Sequence, residues 1–256
     1  MSYFADLDVA ILDELPPGRT PIVTKLIDMQ RRDEVVDKIA HHVAQGEQVY
    51  WVCPLIEESE TLELQTAIDT HAALQAALPD LNIGLVHGRL SATDKRAVMA
   101  QFVAGEVQVL VATTVIEVGV DVPNASWMVI EHAERFGLSQ LHQLRGRVGR
   151  GALHSTCVLL FDKPLSATAK ARLKIMFEST DGFEIAREDL RLRGPGEFLG
   201  ARQSGLPLLR FADLEKDLEL LELARDAAAW LLKYDEAAAD AHLQRWLAQR
   251  GHYLAA

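Results

Sequence analysis

Short apolar runs alternate with longer mixtures of polar and apolar residues between positions 31 and 161. Each run is rich in β-branched residues and short enough to be a strand buried on both faces. Because strands that alternate with helices form parallel sheets, the pattern predicts an α/β fold with helices on both faces of a parallel sheet. The loops at the carboxyl ends of such strands are expected to carry the functional site. The predicted strands are 48–53, 81–87, 107–113, 126–131 and 156–161.

Three of the mixed stretches predict helices, at 31–45, 58–77 and 91–104. The first two contain no Gly or Pro, which are the residues that most often end a helix. The third opens with Ser91 and has Asp94 three residues later, which is typical of a capped helix start.

The pattern becomes helical after residue 162. Residues 166–178 place Ala169, Leu173 and Met176 on one helix face. Apolar residues recur at spacings of three and four between 214 and 231, and a last helix is expected over about 235–250. A polar, glycine-rich stretch, residues 180–205, lies between these helices.

This organisation predicts an α/β lobe at residues 31–163 and a mostly helical region at 164–256. Residues 1–30 are predicted to be a linker, because the adjacent Pro16 and Pro17 interrupt regular structure. Trp51, Trp127 and Trp230 lie within apolar runs and are expected in the core.

Composition excludes two classes of protein. The 256 residues are 49% hydrophobic and 25% charged, which is ordinary for a globular protein. No apolar run approaches the roughly 20 residues of a membrane-spanning helix, so we expect neither a membrane protein nor a disordered one. Cys53 and Cys157 lie in apolar runs and are expected to be reduced and buried, which together with the absence of a signal peptide predicts a cytoplasmic protein.

Charge is unevenly distributed along the chain. The formal net charge is −11, yet residues 135–210 contain 13 Lys and Arg against 7 Asp and Glu. A basic segment in an acidic chain indicates either a surface for anions or a solvated helix face. Motifs within the segment favour the first interpretation.

The basic segment contains the sequence QLHQLRGRVGRG at 140–151, in which three arginines fall within six residues and are interleaved with Gly146 and Gly149. Glycine lets the backbone approach a ligand closely, and guanidinium groups bind phosphate oxygens. The apolar residues Leu138, Leu141 and Leu144 predict a short helix that anchors the loop. No glycine in the chain is followed by lysine, so the P-loop motif that binds nucleoside triphosphates is absent from this sequence.

Residues 143–150 (Q-L-R-G-R-V-G-R) resemble the sixth motif of superfamily 2 helicases. Upstream, residues 112–125 resemble the fifth motif and residues 86–102 resemble the histidine-glycine loop and helix of the same lobe. The segments 6–21, 49–60 and 181–205 sharpen the resemblance to the RecG family of branched-DNA helicases. The last of these segments is similar to a translocation motif shared with the transcription-repair coupling translocase, which is the alternative family.

The resemblance implies that this chain is the C-terminal portion of a longer protein, a second RecA-like lobe followed by the translocation motif. Residues 1–30 would then be the linker between two lobes. The missing first lobe would hold most of the ATP and Mg²⁺, and a missing wedge domain would bind the fork. The partners that this implies are branched or forked DNA, the first lobe and the wedge, and no membrane.

Residue roles also follow from the resemblance alone. The sixth motif implies that Arg147 and Arg150 are arginine fingers and that Gln143 orients water or phosphate. The other implied sets are ATP-binding, with Asp121, Gly119 and Glu117; DNA-binding, with His87, Gly88, Arg89, Thr113 and Thr114; and coupling, with Arg172, Arg193 and Gln203. A protein that only binds DNA or a partner through a helicase-lobe fold is the alternative from a different class. No spacing of His, Cys and carboxylates indicates a metal site.

Overall fold

The computed structural model of the protein describes residues 21–54, 60–113, 122–151, 153–198 and 218–247. A six-stranded sheet forms its centre, and all five strand pairs are parallel. The strand order is β1-β6-β5-β2-β4-β3. The strands are β1 (Val23–Asp28), β2 (Gln48–Val52), β3 (Ile83–Val86), β4 (Val109–Ala112), β5 (Ala125–Ile130) and β6 (Thr156–Phe161). The predicted parallel α/β architecture is confirmed.

Helices α3 and α5 each begin at a serine that caps them. The Ser91 hydroxyl accepts a hydrogen bond from the Asp94 backbone N–H at 3.1 Å, and the Ser166 hydroxyl does the same for Ala169 at 3.1 Å. The helices are α1 (Arg32–Val43), α2 (Glu60–Ala77), α3 (Ala92–Val103), α4 (Leu138–Arg145), α5 (Ala167–Glu178), α6 (Gly182–Phe198), α7 (Leu218–Tyr234) and α8 (Glu236–Leu247).

Two apolar cores cover the two faces of the sheet. One face packs against α3, α4 and α5, and the other packs against α1 and α2. Leu138, Leu141 and Leu144 of α4 are all buried, as the sequence predicted, and so is the Ala169, Leu173 and Met176 face of α5. The interiors of the strands are buried on both faces, which explains why their sequences read as continuous apolar runs.

Strand β1 lies within the range 1–30 that the sequence assigned to a linker. It pairs with β6 over its whole length, from Val23 opposite Thr156 to Asp28 opposite Phe161. Its sequence, VTKLID, mixes polar and apolar residues, and only Thr24 of its six residues is buried, as expected for an edge strand that is not fully covered. The lobe therefore starts before residue 31.

The division of the chain also lies elsewhere than the boundary predicted near residue 163. One compact unit comprises residues 15–194, and a second comprises 1–14 with 195–256. Helix α5 belongs to the first unit because its buried face packs on the same core as α4. In the second unit α7 and α8 pack together, and Trp230, which we expected in the core, is 57% exposed.

Helix α6 occupies the first part of the polar, glycine-rich stretch at residues 180–205. It runs through Gly194, Pro195 and Gly196, which are residues that normally end helices. No helix in the described part of the chain is long and apolar enough to cross a membrane.

Candidate functional site

The carboxyl ends of β3 and β4 bring two of the predicted DNA-binding residues together. His87 directly follows β3, Thr113 directly follows β4, and the Thr113 N–H donates to the Val86 carbonyl at 3.2 Å. The His87 Nδ1 and Thr113 Oγ1 atoms are buried, and neither has a hydrogen-bond partner among the described residues. Buried polar atoms normally have partners, so this pair marks a place where a ligand can supply them.

The loop that follows His87 is basic. Gly88 and Arg89 are exposed, and the Lys95 ammonium donates to the Gly88 carbonyl at 3.0 Å, which fixes the loop against the first turn of α3. Burial lowers the pKa of His87, and the nearby Lys95 and Arg89 charges lower this pKa further. A phosphate bound here would oppose that effect, because it would favour the imidazolium form.

The arginine loop lies at the opposite end of the sheet. Gly149 has a positive φ of 77°, and a Cβ on it would stand 3.0 Å from Ile22, which precedes β1. A Cβ on Gly151 would stand 2.3 Å from the carbonyl oxygen of Pro123, which precedes β5. Ile22 and Pro123 mark the amino ends of their strands. The expectation that the carboxyl ends carry the whole site is therefore wrong for the arginines, because α4 leaves the carboxyl end of β5 and returns the chain to the amino end before the loop begins.

The backbone of the arginine loop continues directly from α4. The Arg147 N–H donates to the Leu144 carbonyl at 3.0 Å, and the Val148 N–H donates to the Arg145 carbonyl at 3.4 Å. Val148 is buried in the core shared with α4, whereas Arg147 and Arg150 are partly buried and Gln143 is exposed. Two arginines on a backbone fixed in this way are suited to the oxygens of a phosphate chain.

A third arginine of the same motif has a different environment. Arg145 is only 2% exposed, and its Nη1 donates to the carbonyls of Met176 at 2.9 Å and Ser179 at 2.8 Å. Burial lowers the pKa of this guanidinium. Sequence reasoning grouped Arg145 with the loop arginines and assigned it no separate role. Its position on the Leu138, Leu141 and Leu144 face of α4 was the available signal that it points into the protein.

Arg172, predicted to act in coupling, contacts the start of α4. It lies on α5, and its guanidinium donates to the carbonyls of Phe136 and Glu134, the latter at 3.1 Å. These carbonyls belong to the short 3₁₀ turn, Ala133–Arg135, and to the residue after it, which lead from β5 into α4.

The same turn begins with a strained residue. His132 adopts a left-handed conformation with φ 49°, which is uncommon outside glycine. Its Nδ1 lies 3.3 Å from the Glu134 carboxylate and 3.5 Å from the Asp162 carboxylate. The hydrogen bond with Glu134 raises the pKa of His132.

Several predicted site residues lie outside the described residues, namely Glu117, Gly119, Asp121, Thr114 and Gln203. The position of Arg193 falls within α6, but its side chain is also outside the described part. The described residues contain no group of His, Cys, Asp and Glu that could hold a metal ion. Cys53 and Cys157 are free and buried, and burial raises the pKa of each thiol to about 12, so neither is a nucleophile.

Two parts of the chain match families of known proteins. Residues 31–152 match the helicase conserved C-terminal domain, and residues 179–250 match the C-terminal part of domain 3 of the ATP-dependent DNA helicase RecG. The chain belongs to the RecG family. The six-stranded sheet is thus the second RecA-like lobe of a superfamily 2 helicase, as the sequence predicted.

Relatives in the RecG family match nearly the whole chain. The RecG helicase of Acidithiobacillus ferridurans is 56% identical over 99% of this chain, and that of Escherichia coli strain K12 is 53% identical over 99%. The chain spans 37% of the length of each of these relatives. A solved structure of RecG bound to a three-way DNA junction shares 45% identity, with a TM-score of 0.64, over 82% of this chain and 27% of that one.

Proposed function

We propose that this chain is the C-terminal motor half of an ATP-dependent DNA helicase that remodels branched DNA in repair and recombination. The observation that carries the proposal is the arrangement of one lobe with an arginine loop at one end of its sheet and two polar groups without a partner among the described residues, His87 and Thr113, at the other. A lobe of this kind can bind a nucleotide and a nucleic acid at the same time. The relatives named ATP-dependent DNA helicases support both ligands.

The residues of the arginine loop fit ATP. ATP supplies the free energy of the cycle through hydrolysis at its terminal phosphate, and the family is named for its dependence on ATP. Arg147 and Arg150 would bind the phosphate oxygens and neutralise charge as it develops, while Gln143, exposed one turn before them, would orient water or phosphate. Gly149 allows the positive φ of the loop, and Gly151 allows its close approach to the Pro123 carbonyl. Asp121, Gly119 and Glu117 of the fifth motif would complete the ATP-binding set, with Mg²⁺ held mainly by another lobe.

DNA would bind at the carboxyl ends of β3 and β4. His87, Gly88, Arg89, Thr113 and Thr114 would contact phosphates of the tracked strand. The positive end of α3 and the Lys95 ammonium add to the attraction for a phosphate. Contacts of this type do not depend on base sequence, so selectivity for branched DNA would come from other domains.

The full-length protein, by which we mean the form that joins this chain to a P-loop lobe, would be the active species. The partners would be that first lobe, a wedge domain and branched DNA. The similarity to RecG relatives over 99% of the chain favours RecG over the transcription-repair coupling translocase. We place the protein in the bacterial cytoplasm, since the relatives compared here are bacterial.

Hydrolysis of ATP by the full-length protein with different DNA cofactors tests the proposal. Forked DNA should stimulate turnover more than a linear duplex of equal length, and the protein should separate the strands of the fork only when ATP is present. Binding of forked DNA without stimulated hydrolysis would instead support a module that only binds DNA.

A further inference from the structure

The buried guanidinium of Arg145 has no acidic partner among the described residues. Its hydrogen-bonding neighbours are the Met176 and Ser179 carbonyls and, each at 3.3 Å, the Thr24 hydroxyl and the His142 Nδ1. Burying a cation is costly, and an apolar side chain of the same volume often serves packing at least as well. Packing alone therefore does not explain why an arginine occupies position 145.

Arg145 binds the end of α5. Met176 lies in the last turn of α5 and Ser179 follows the helix, so these carbonyls belong to the group that a helix leaves without internal partners. The same end carries the negative pole of the helix dipole, which offsets the charge of the guanidinium. The last residue of α4 thus caps the carboxyl end of α5.

The capped end of α5 leads directly into α6. The Ser179 hydroxyl accepts from the Asp181 N–H at 3.1 Å, and the Ile185 N–H donates to the Asp181 carbonyl at 3.0 Å. A Cβ on Gly182, the first residue of α6, would stand 3.1 Å from the imidazole of His142, one turn before Arg145. Two side chains of α4 therefore hold the corner at residues 179–182.

Arg172, in the middle of α5, makes a second contact between the same two helices, at the start of α4. It reaches from α5 to the carbonyls of Glu134 and Phe136, just before α4 begins. Leu141 and Leu173 are buried in the apolar core that α4 and α5 share. Helix α4 is consequently fixed to α5 at both of its own ends, and the loop with Arg147 and Arg150 leaves from the end that Arg145 holds.

We propose that Arg145 is a positioning residue that transmits movement of the arginine loop to helix α6 by fixing the end of α4 to the corner at residues 179–182. The proposal rests on the proposed function, since only a motor has movement to transmit. Arg145 contacts neither nucleotide nor DNA. Loss of the Arg145 side chain should leave ATP hydrolysis largely intact, because α4 keeps its apolar face and its contact with Arg172. Movement of the arginine loop should then no longer reach α6.

The first test uses the 256-residue chain alone and does not depend on any helicase activity. Arg145→Met keeps an unbranched side chain of similar length but removes every donor. Hydrogen exchange at the amides of Phe183 and Ile185 should become about tenfold faster, because the Met176 and Ser179 carbonyls lose their partner. Leu74→Ala, in the core on the opposite face of the sheet, is the matched control and should not raise exchange at these two amides relative to those of β2.

The second test uses the full-length protein, with ATP turnover and fork unwinding measured on the same preparation. Arg145→Met should keep ATP turnover within about threefold of wild type and reduce unwinding about tenfold or more. Leu74→Ala should change both activities by the same factor. Arg145→Lys, which keeps the charge but not the planar fork, provides a second variant if methionine prevents folding, and its unwinding should fall more than its turnover.

Two results would overturn the role of Arg145. One is unchanged exchange at Phe183 and Ile185, and the other is a proportional fall of turnover and unwinding in an Arg145 variant that folds. A wild-type protein that neither hydrolyses ATP nor unwinds forks would refute the proposed function instead, and the exchange test would still decide whether Arg145 fixes the corner.

Discussion

The carbonyl oxygen of Pro123 lies 2.3 Å from the point where a Cβ on Gly151 would be. Pro123 lies in the fifth-motif segment, residues 112–125, and precedes β5, whereas Gly151 directly follows Arg150. The two motifs that would bind the nucleotide therefore touch through backbone atoms, and no side chain larger than hydrogen fits between them.

Gly151→Ala should disrupt this contact. A Cβ cannot remain 2.3 Å from a carbonyl oxygen, so either segment must move, at a cost of about 1–3 kcal/mol in the free energy of unfolding. Thermal or urea unfolding of the 256-residue chain measures this cost. Gly146→Ala is the matched control, because a Cβ there would meet only ordinary contacts at 3.5 Å, and it should change stability by less than about 0.5 kcal/mol. Equal stability of the two variants would show that the Pro123 contact adjusts freely.

Arg147→Ala and Arg150→Ala should each reduce ATP hydrolysis by the full-length protein much more than ATP binding. Arginine fingers act mainly on charge that develops in the transition state, and loss of one lowers the rate by roughly 10³ to 10⁵. Single-turnover hydrolysis and nucleotide binding should be measured on each variant. Rates within about threefold of wild type for both would remove the finger assignment.

The isolated 256-residue chain should show no ATPase activity above background, with or without forked DNA, because none of its glycines precedes a lysine. It should bind DNA weakly, without sequence preference, and less well as salt rises, since only phosphate contacts are available. Turnover that persists through purification would contradict the first expectation, and salt-independent binding would contradict the second.

The contribution of His132 to stability should depend on pH. The bond with Glu134 raises its folded pKa above the ordinary 6.5; Asp162 acts in the same direction, while burial and Arg135 oppose it. A raised folded pKa means that the stabilisation is complete below the unfolded pKa and is lost as pH rises through the folded pKa. His132→Asn keeps a residue that tolerates positive φ, and it should destabilise the chain more at about pH 5.5 than at about pH 8.5.

His142 is the opposite-sign control for that measurement. Burial lowers its pKa, and the Arg145 charge lowers it further. Its contribution to stability is therefore present above the ordinary pKa and is lost as pH falls through the folded pKa. His142→Asn should accordingly cost more stability at high pH than at low pH, and a common trend in both variants would refute the two assignments.

Gln203→Ala should leave DNA-stimulated ATPase of the full-length protein largely intact and abolish fork unwinding. The reason is its proposed place in the translocation motif, with Arg172 and Arg193, outside the hydrolytic residues. Loss of one member of such a network typically costs about 1–3 kcal/mol, which is enough to depopulate a docked arrangement tenfold. Turnover and unwinding should be measured together, and a proportional fall would place Gln203 in the ATP site or in the fold.

The sequence by itself determined the type of fold. Buried parallel strands leave continuous apolar runs, and helices leave spacings of three and four, so the five strands from 48 to 161 and the α5 face at Ala169, Leu173 and Met176 could be predicted from local pattern. The spacing of the motif residues also identified the arginine loop, because residues that are close in the chain stay close in the structure. Local pattern failed at β1, an edge strand that gains its stability from β6 more than a hundred residues away.

Only the tertiary structure decided where each predicted part of the site lies and which arginine is buried. Arg145, Arg147 and Arg150 look alike in sequence, yet one is buried against the end of α5 and the other two are not. The separation of the arginine loop from His87 and Thr113 depends on the direction of α4 across the sheet. Likewise, the close backbone approach at Gly151 arises because Pro123 comes to it from a distant part of the chain. These are contacts between residues far apart in sequence, and their partners are set by packing, which no local pattern records.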